Sequence, residues 1–150
     1  MGLQNYSIGV ECDSIHCSWV GVECDSIQYP NHIVVSLNLS GFQILGQLEP
    51  EIAELTQFKS IDFRNNGFTG SIPSELGNYS LVEYLELSQN SFTGDIPESF
   101  GNLLNLRFIN LYSNFMKGSI PESLFRIPHL DTVWLDVNEL NRSIPLNVGN

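Results

Sequence analysis

Between Tyr84 and Phe100 the chain reads YLELSQNSFTGDIPESF, with apolar side chains at Leu85, Leu87, Phe92, Ile96 and Phe100 and with Asn90, Gly94 and Pro97 set between them. This is neither the period of an amphipathic helix nor the plain alternation of a strand. The same pattern stands one step earlier at Ile61, Phe63, Asn66, Phe68, Gly70, Ile72, Pro73 and Leu76. It stands one equal step later at Ile109, Leu111, Asn114, Met116, Gly118, Ile120, Pro121 and Leu124, with no slip of register. A fixed period of this length predicts a solenoid, in which each coil buries its apolar side only by stacking on its neighbours.

Each position has a physical reason. Leu85 and Leu87 are two apart, so a short strand sends both into the core and leaves Tyr84, Glu86 and Ser88 facing outward. Strands stacked coil on coil make a parallel sheet. After each strand the chain turns, and an asparagine that both donates and accepts can satisfy the turn backbone; Asn66, Asn90, Asn114 and Asn138 are expected to form such a ladder. Gly94 supplies a backbone conformation or a close approach, and Pro97 fixes φ where no donor is needed. The pieces Pro73–Leu76 and Pro97–Phe100 predict a short turn of helix or 3₁₀, which Gly77-Asn78 and Gly101-Asn102 end.

The spacing L-x-x-L-x-L-x-x-N-x-L followed by x-G-x-I-P resembles the plant-type leucine-rich repeat. That resemblance implies an α/β repeat solenoid, a horseshoe with a parallel sheet on its concave face and 24-residue coils. Residues 1–31 are read as an N-terminal cap region and 32–150 as repeats, four full coils and a partial fifth. Coil one carries Phe42 where later coils carry Asn, and Glu49 where they carry Pro. Coil five runs from Leu130 with Arg142 in place of the glycine, and no C-terminal cap is expected after it.

An apolar content of 42% is enough for a continuous core in one domain. No run approaches the about 18 apolar residues of a membrane-spanning helix, and the first residues lack the basic start and apolar stretch of a secretory signal. Met1-Gly2 with Ser7 is a poor match to a myristoylation site. A formal charge of −11 argues against nucleic acid or an anionic membrane as partner and favours a basic or neutral ligand. Four N-x-S sequons, at Asn5, Asn38, Asn78 and Asn141, are candidate glycosylation sites and favour a secretory history. The three cysteines, Cys12, Cys17 and Cys24, all precede the repeats; a zinc site built from them and His16 is one reading, although the spacing matches no usual C-x2-C pair.

The segment CSWVGVEC followed by HIVVSLNLSG is similar to the N-terminal cap of plant leucine-rich-repeat receptor kinases. The resemblance implies a disulfide between Cys17 and Cys24, with Trp19 a buried aromatic of the lid. Inside the cap, Gly9–Ile15 recurs word for word as Gly21–Ile27, a local duplication that leaves Cys12 without a family counterpart. The stretches Gly46–Leu55 and Pro121–Leu130 resemble the first coils of the receptor kinases that perceive danger (Pep-type) peptides. In that family an extracellular horseshoe binds a peptide on its inner face, recruits a co-receptor and activates an intracellular kinase. The implied role here is a binding module on the extracellular side of the plasma membrane, without the kinase and without a cofactor.

The outward strand residues define the candidate face. Arg64, Tyr84, Glu86, Phe108, Tyr112, Trp134 and Asp136 are the candidate ligand-binding residues; the aromatics among them form a lengthwise stripe flanked by Glu86, Asp131 and Asp136, suited to an extended peptide with basic side chains. The bland alternative is a solvated sheet face whose aromatics cover their neighbours. A glycan on Asn38 would occupy one end of this face. His129 and Asp131 lack a nucleophile beside them, so catalysis is not expected. Three other roles fit the repeat alone: a secreted inhibitor of a cell-wall hydrolase, an ice-binding protein, whose Ser71 and Ser119 row Asp95 interrupts, and a truncated product that does not signal.

Overall fold

The computed structural model describes residues 16–25 and 33–141. Asn5, Cys12, His32, the first copy of the duplicated heptad, the cap boundary at residue 31 and the end of coil five from Arg142 lie outside the described residues. Among the described residues the ten strands are β1 (Val22–Cys24), β2 (Val34–Asn38), β3 (Leu45–Gln47), β4 (Ser60–Asp62), β5 (Gly67–Ser71), β6 (Tyr84–Glu86), β7 (Ser91–Asp95), β8 (Phe108–Asn110), β9 (Phe115–Lys117) and β10 (Thr132–Trp134).

The chain forms the expected solenoid. One sheet has the order β1-β2-β4-β6-β8-β10, and from β2 to β10 neighbouring strands are parallel with partners one full repeat apart, as in Ile61↔Leu85 and Leu85↔Ile109. The register of the sheet is thus the period of the sequence. On the other side of each coil a 3₁₀ turn of five residues follows the proline: Ser74–Asn78, Glu98–Asn102 and Glu122–Arg126. Between sheet and turns runs the core. Leu85, Leu87, Phe92, Phe100, Leu103, Leu106, Ile109 and Leu111 are all buried, and the rings of Phe68 and Phe92 stack 5.9 Å apart down its centre. Burial of each such side chain stabilises by about 1.5–3 kcal/mol.

The asparagine ladder takes the expected place. Asn90 donates Nδ2–H to the carbonyls of Phe63, Leu87 and Ser88 and accepts the Phe68 N–H at Oδ1, 3.1 Å away, so one side chain closes its own turn and pins it to the coil before. Asn66, Asn114 and Asn138 repeat this arrangement.

Four features depart from the sequence reading. A second, four-stranded parallel sheet, β3-β5-β7-β9, follows the turns. Its partners fall short of a full repeat by two positions, as in Gly70↔Phe92, so each strand is sheared by that amount relative to the first sheet. Strand β1 is antiparallel to β2, because the few residues between Cys24 and Val34 are too short for a full coil and permit only a return. Trp19 is 58% exposed rather than buried: the cap adds a strand to the sheet edge, and its tryptophan sits on the bend leading into that strand. Gly77 and Gly101 lie inside their 3₁₀ turns without positive φ, so they do not act as left-handed caps. Their role is close approach: a Cβ on Gly77 would sit 2.6 Å from the Ser99 Cβ and 2.7 Å from the Ser99 carbonyl carbon of the next turn. Gly94, at φ +75, does need its left-handed backbone.

Candidate binding face

The five parallel strands β2, β4, β6, β8 and β10 present their outward residues in rows. The first row is Ser36, Ser60, Tyr84, Phe108 and Thr132; the second is Asn38, Asp62, Glu86, Asn110 and Trp134. Ser40, Arg64, Ser88, Tyr112 and Asp136 follow two positions further along each coil.

The second row is structural for four of its five members. The side-chain oxygens of Asn38, Asp62, Glu86 and Asn110 accept the backbone N–H two positions on, at 3.0, 3.0, 2.9 and 2.9 Å. This closes the chain at the end of each strand with an Asx-type turn or its glutamate equivalent. Asn110 also donates to the second oxygen of Glu86 at 2.9 Å, which leaves Glu86 2% exposed. Glu86 and Ser88, expected to face solvent, are therefore buried and occupied. The signal was present in the sequence as a carbonyl or carboxylate recurring at one position, but it reads equally well as a charged binding row.

Trp134 breaks the row. It has no side-chain oxygen to fold back, and it stands 52% exposed in the last described strand. Tyr84 and Phe108 are half-buried and stack on each other, ring centroids 4.4 Å apart and planes at 7°. Each thus covers one face of the other. The expected lengthwise stripe is accordingly divided: Tyr84 and Phe108 share a row, Trp134 lies in the next, and half-buried Tyr112 in the third. Burial, with the nearby carboxylates of Glu86 and Asp62, pushes the Tyr84 phenol above the usual tyrosine range, and Arg64 partly opposes them.

Charges on this face are paired, within one coil or between neighbouring coils. Arg64 lies 3.7 Å from Asp62, and Arg107 bridges Glu83 at 3.9 Å and Asp131 at 3.7 Å. Asp136 is exposed. Of the candidate glycosylation sites, Asn38, Asn78 and Asn141 are all exposed; Asn38 is at the edge of this face, and Asn78 ends a 3₁₀ turn on the opposite one. The Cys17 and Cys24 sulfurs are bonded at 2.06 Å and tie the His16–Ser18 turn to β1. Both are thereby removed as thiolate ligands, which overturns the zinc alternative. Exposed His129 and Asp131 belong to no metal-binding cluster among the described residues. No described helix is long and apolar enough to cross a membrane.

Comparison with known proteins gives this geometry a family. The Leucine Rich Repeat profile matches residues 57–79, 81–103 and 105–127. A chain of the BIR3–SERK2 complex from Arabidopsis thaliana superposes with a TM-score of 0.82 at 30% identity, over 94% of this chain and 74% of that one. The chain belongs to the leucine-rich-repeat family. It is similar to the ectodomains of plant receptor kinases. The ectodomain of the receptor kinase SOBIR1 from Arabidopsis thaliana matches with a TM-score of 0.77 at 26% identity, over 86% of this chain and 72% of that one. PEPR1 in its structure with AtPEP1 matches with a TM-score of 0.77 at 44% identity, over 83% of this chain but 17% of that one. Similarity to the Pep receptor is thus one among several. No curated protein matches the sequence. A leucine-rich-repeat ectodomain of this kind is a binding module rather than a catalytic one.

Proposed function

We propose that this chain is the ligand-binding part of a plant receptor-kinase ectodomain, working on the extracellular side of the plasma membrane, and that it holds an extended peptide on the concave sheet. The observation that carries this reading is Trp134, a large ring left half in solvent in a row whose other members are polar and engaged. Exposed aromatics of this kind are the usual anchors of an interface. Tyr112 on the neighbouring coil and Asp136 on its own coil flank it as aromatic and polar contacts, while Phe108, Tyr84 and Arg64 extend the surface toward the first coils. Glu86 serves the face by holding the Ser88 N–H and the Asn110 amide rather than by touching ligand. The similar PEPR1 and RGFR1 structures both contain a peptide, AtPEP1 and RGF2, which supports a peptide as occupant. Similarity over 94% of the chain to a protein of the BIR3–SERK2 complex supports a second reading, a partner ectodomain on the same face.

The test is selection from a bead-displayed library of twelve-residue peptides of graded charge, against the wild-type chain and against Trp134→Ala, Tyr112→Ala and, as a control on the far side, Leu104→Ala. Peptides enriched by the wild type should lose at least about tenfold in affinity with Trp134→Ala, the scale of an interface hot spot, and keep it with Leu104→Ala. Enriched peptides that bind Trp134→Ala as tightly as wild type would sink the proposal.

A further inference from the structure

Where the first coil meets the edge strand β1 there is an open hollow of about 410 Å³, lined chiefly by Val20, Val22, Glu23, Asn38, Ser40 and Phe42. Phe42 is its least expected member. It stands one period before Asn66, at the ladder position, where the cap offers an antiparallel strand instead of a preceding parallel coil. The ring is 49% exposed, and Val20, which lines the same hollow, is 78% exposed.

Asn38 enters this hollow with its amide nitrogen uncommitted. Its Oδ1 accepts the Ser40 N–H at 3.0 Å, whereas its Nδ2 makes no hydrogen bond among the described residues. Asn110, at the same position three coils on, uses its Nδ2 on Glu86. Asn38 also opens the sequon Asn38-Leu39-Ser40, and it is the Ser40 backbone, not the hydroxyl, that holds the Asx turn. The sequon at Asn78 has a different setting. Its hollow is lined by Pro50, Ala53 and the carboxylates of Glu51, Glu54 and Glu75, with no aromatic ring.

From these observations we propose that Asn38 is a glycosylation site whose first sugar, an N-acetylglucosamine, is seated in the hollow, with its apolar face on Phe42 and Val20 and its hydroxyls toward Glu23. The lining suits a neutral polyol: a ring for the C–H face, a carboxylate to accept from hydroxyls, and no cation. The modification is a glycosyl transfer by an enzyme of the secretory route. Nδ2 bonds to the anomeric carbon of an oligosaccharide carried on a lipid diphosphate, and the bond from that carbon to the diphosphate oxygen breaks. The lipid diphosphate leaves and the amide gives up one proton, so nothing is oxidised or reduced. The seated sugar shields β1, the outermost strand of the first sheet among the described residues, from pairing with another chain. It also gives the binding face an N-terminal limit, leaving a peptide the rows from β4 to β10. That limit rests on the concave-face reading, whereas the site does not.

The full chain, secreted from plant cells behind a signal that is cleaved off, is digested and treated with peptide N-glycosidase in H₂¹⁸O. The Asn38 peptide should carry the ¹⁸O mark; an unmarked Asn38 overturns the site, whether or not Asn78 is marked. Seating is read by NMR on chain trimmed to the first sugar. The acetamido methyl on Asn38 should show NOEs to the Phe42 ring and an upfield ring-current shift. Its resonance is assigned by its loss in Ser40→Ala, which removes the sequon but keeps the backbone N–H that holds Asn38. Phe42→Ala should abolish the upfield shift and keep the occupancy, with Phe42→Leu as a second ring-free variant if the first does not fold. A methyl resonance unchanged in the folded variant overturns the seating. Peptides selected on unglycosylated Ser40→Ala should include some that the glycosylated chain rejects, and equal binding of all of them overturns the limit. Occupancy and ring-current shift involve no peptide, so failure here and failure of the proposed function are separable.

Discussion

Replacing Asn114 by alanine tests the reason this solenoid holds together. Asn114 is 6% exposed; its Nδ2 donates to the carbonyls of Leu87 and Leu111, both at 3.1 Å, and its Oδ1 accepts the Phe92 N–H at 3.0 Å. The two carbonyls keep a second amide donor, from Asn90 and Asn138, so each loses one bond of two. The Phe92 N–H loses its acceptor, and Phe92 is fully buried, so water cannot replace it. An orphaned buried N–H costs about 1–3 kcal/mol, and two lost bonds about 1 kcal/mol each, for a total of about 3–5 kcal/mol. Total stability of a domain is about 5–15 kcal/mol, so the change is a large share of it. Urea unfolding followed by tryptophan fluorescence and by circular dichroism reads it: with an m-value of about 2 kcal/mol/M the midpoint should fall by about 2 M. Asn105→Ala is the control, since exposed Asn105 makes a single bond to the Ser80 carbonyl and its loss should shift the midpoint by less than about 0.5 M. Asn114→Asp separates acceptor from donor. The introduced carboxylate keeps the Phe92 bond but faces two carbonyls, which raises its folded pKa above its unfolded one. Destabilisation is then full above the raised pKa and relaxes as pH falls through it and the carboxyl regains a proton to donate. If Asn114→Ala and Asn105→Ala shift the midpoint equally, the ladder is not what pins the coils.

Val137 holds φ +57 while 61% exposed, at a position where the preceding coils have Ser113, Gln89 and Asn65 in the same conformation. A β-branched residue is strained there, so Val137→Asn should stabilise by about 1 kcal/mol, read as a rise in urea midpoint; a fall would refute the strain argument. Gly77→Ala should destabilise by about 1–3 kcal/mol through collision with Ser99, although its φ permits alanine, and pairing it with Ser99→Gly should recover part of the loss. The Tyr84 phenol, titrated by NMR, should ionise above the ordinary tyrosine value; Asp62→Asn should bring it down and Arg64→Gln push it further up, and reversed signs would place the charges wrongly. The Tyr79 hydroxyl, donating to the Ile52 carbonyl in the core, should titrate well above the usual range and only as the chain unfolds at high pH.

The fixed period of the sequence determined the solenoid, the first sheet's register, the asparagine ladder and the apolar core, because each of these repeats one local environment from coil to coil. When every coil stacks on its like, a residue's neighbour across the sheet is its own counterpart one period away, and the sequence can be read as a map of contacts. The remaining features depend on what stands at adjoining coils rather than on the repeated unit. Glu86 looked like a ligand contact until the Ser88 N–H and the Asn110 amide were seen to enclose it. Tyr84 and Phe108 looked like part of one open stripe, but their stacking turns their faces to each other and leaves Trp134 in another row. The second sheet and the antiparallel β1 were illegible for a related reason: such short strands carry too little side-chain pattern, and it was the distance the chain had to cover that set their pairing. Trp19 came out exposed because the lid extends a sheet edge, a choice made by backbone hydrogen bonds across coils and not by the apolar character of one residue.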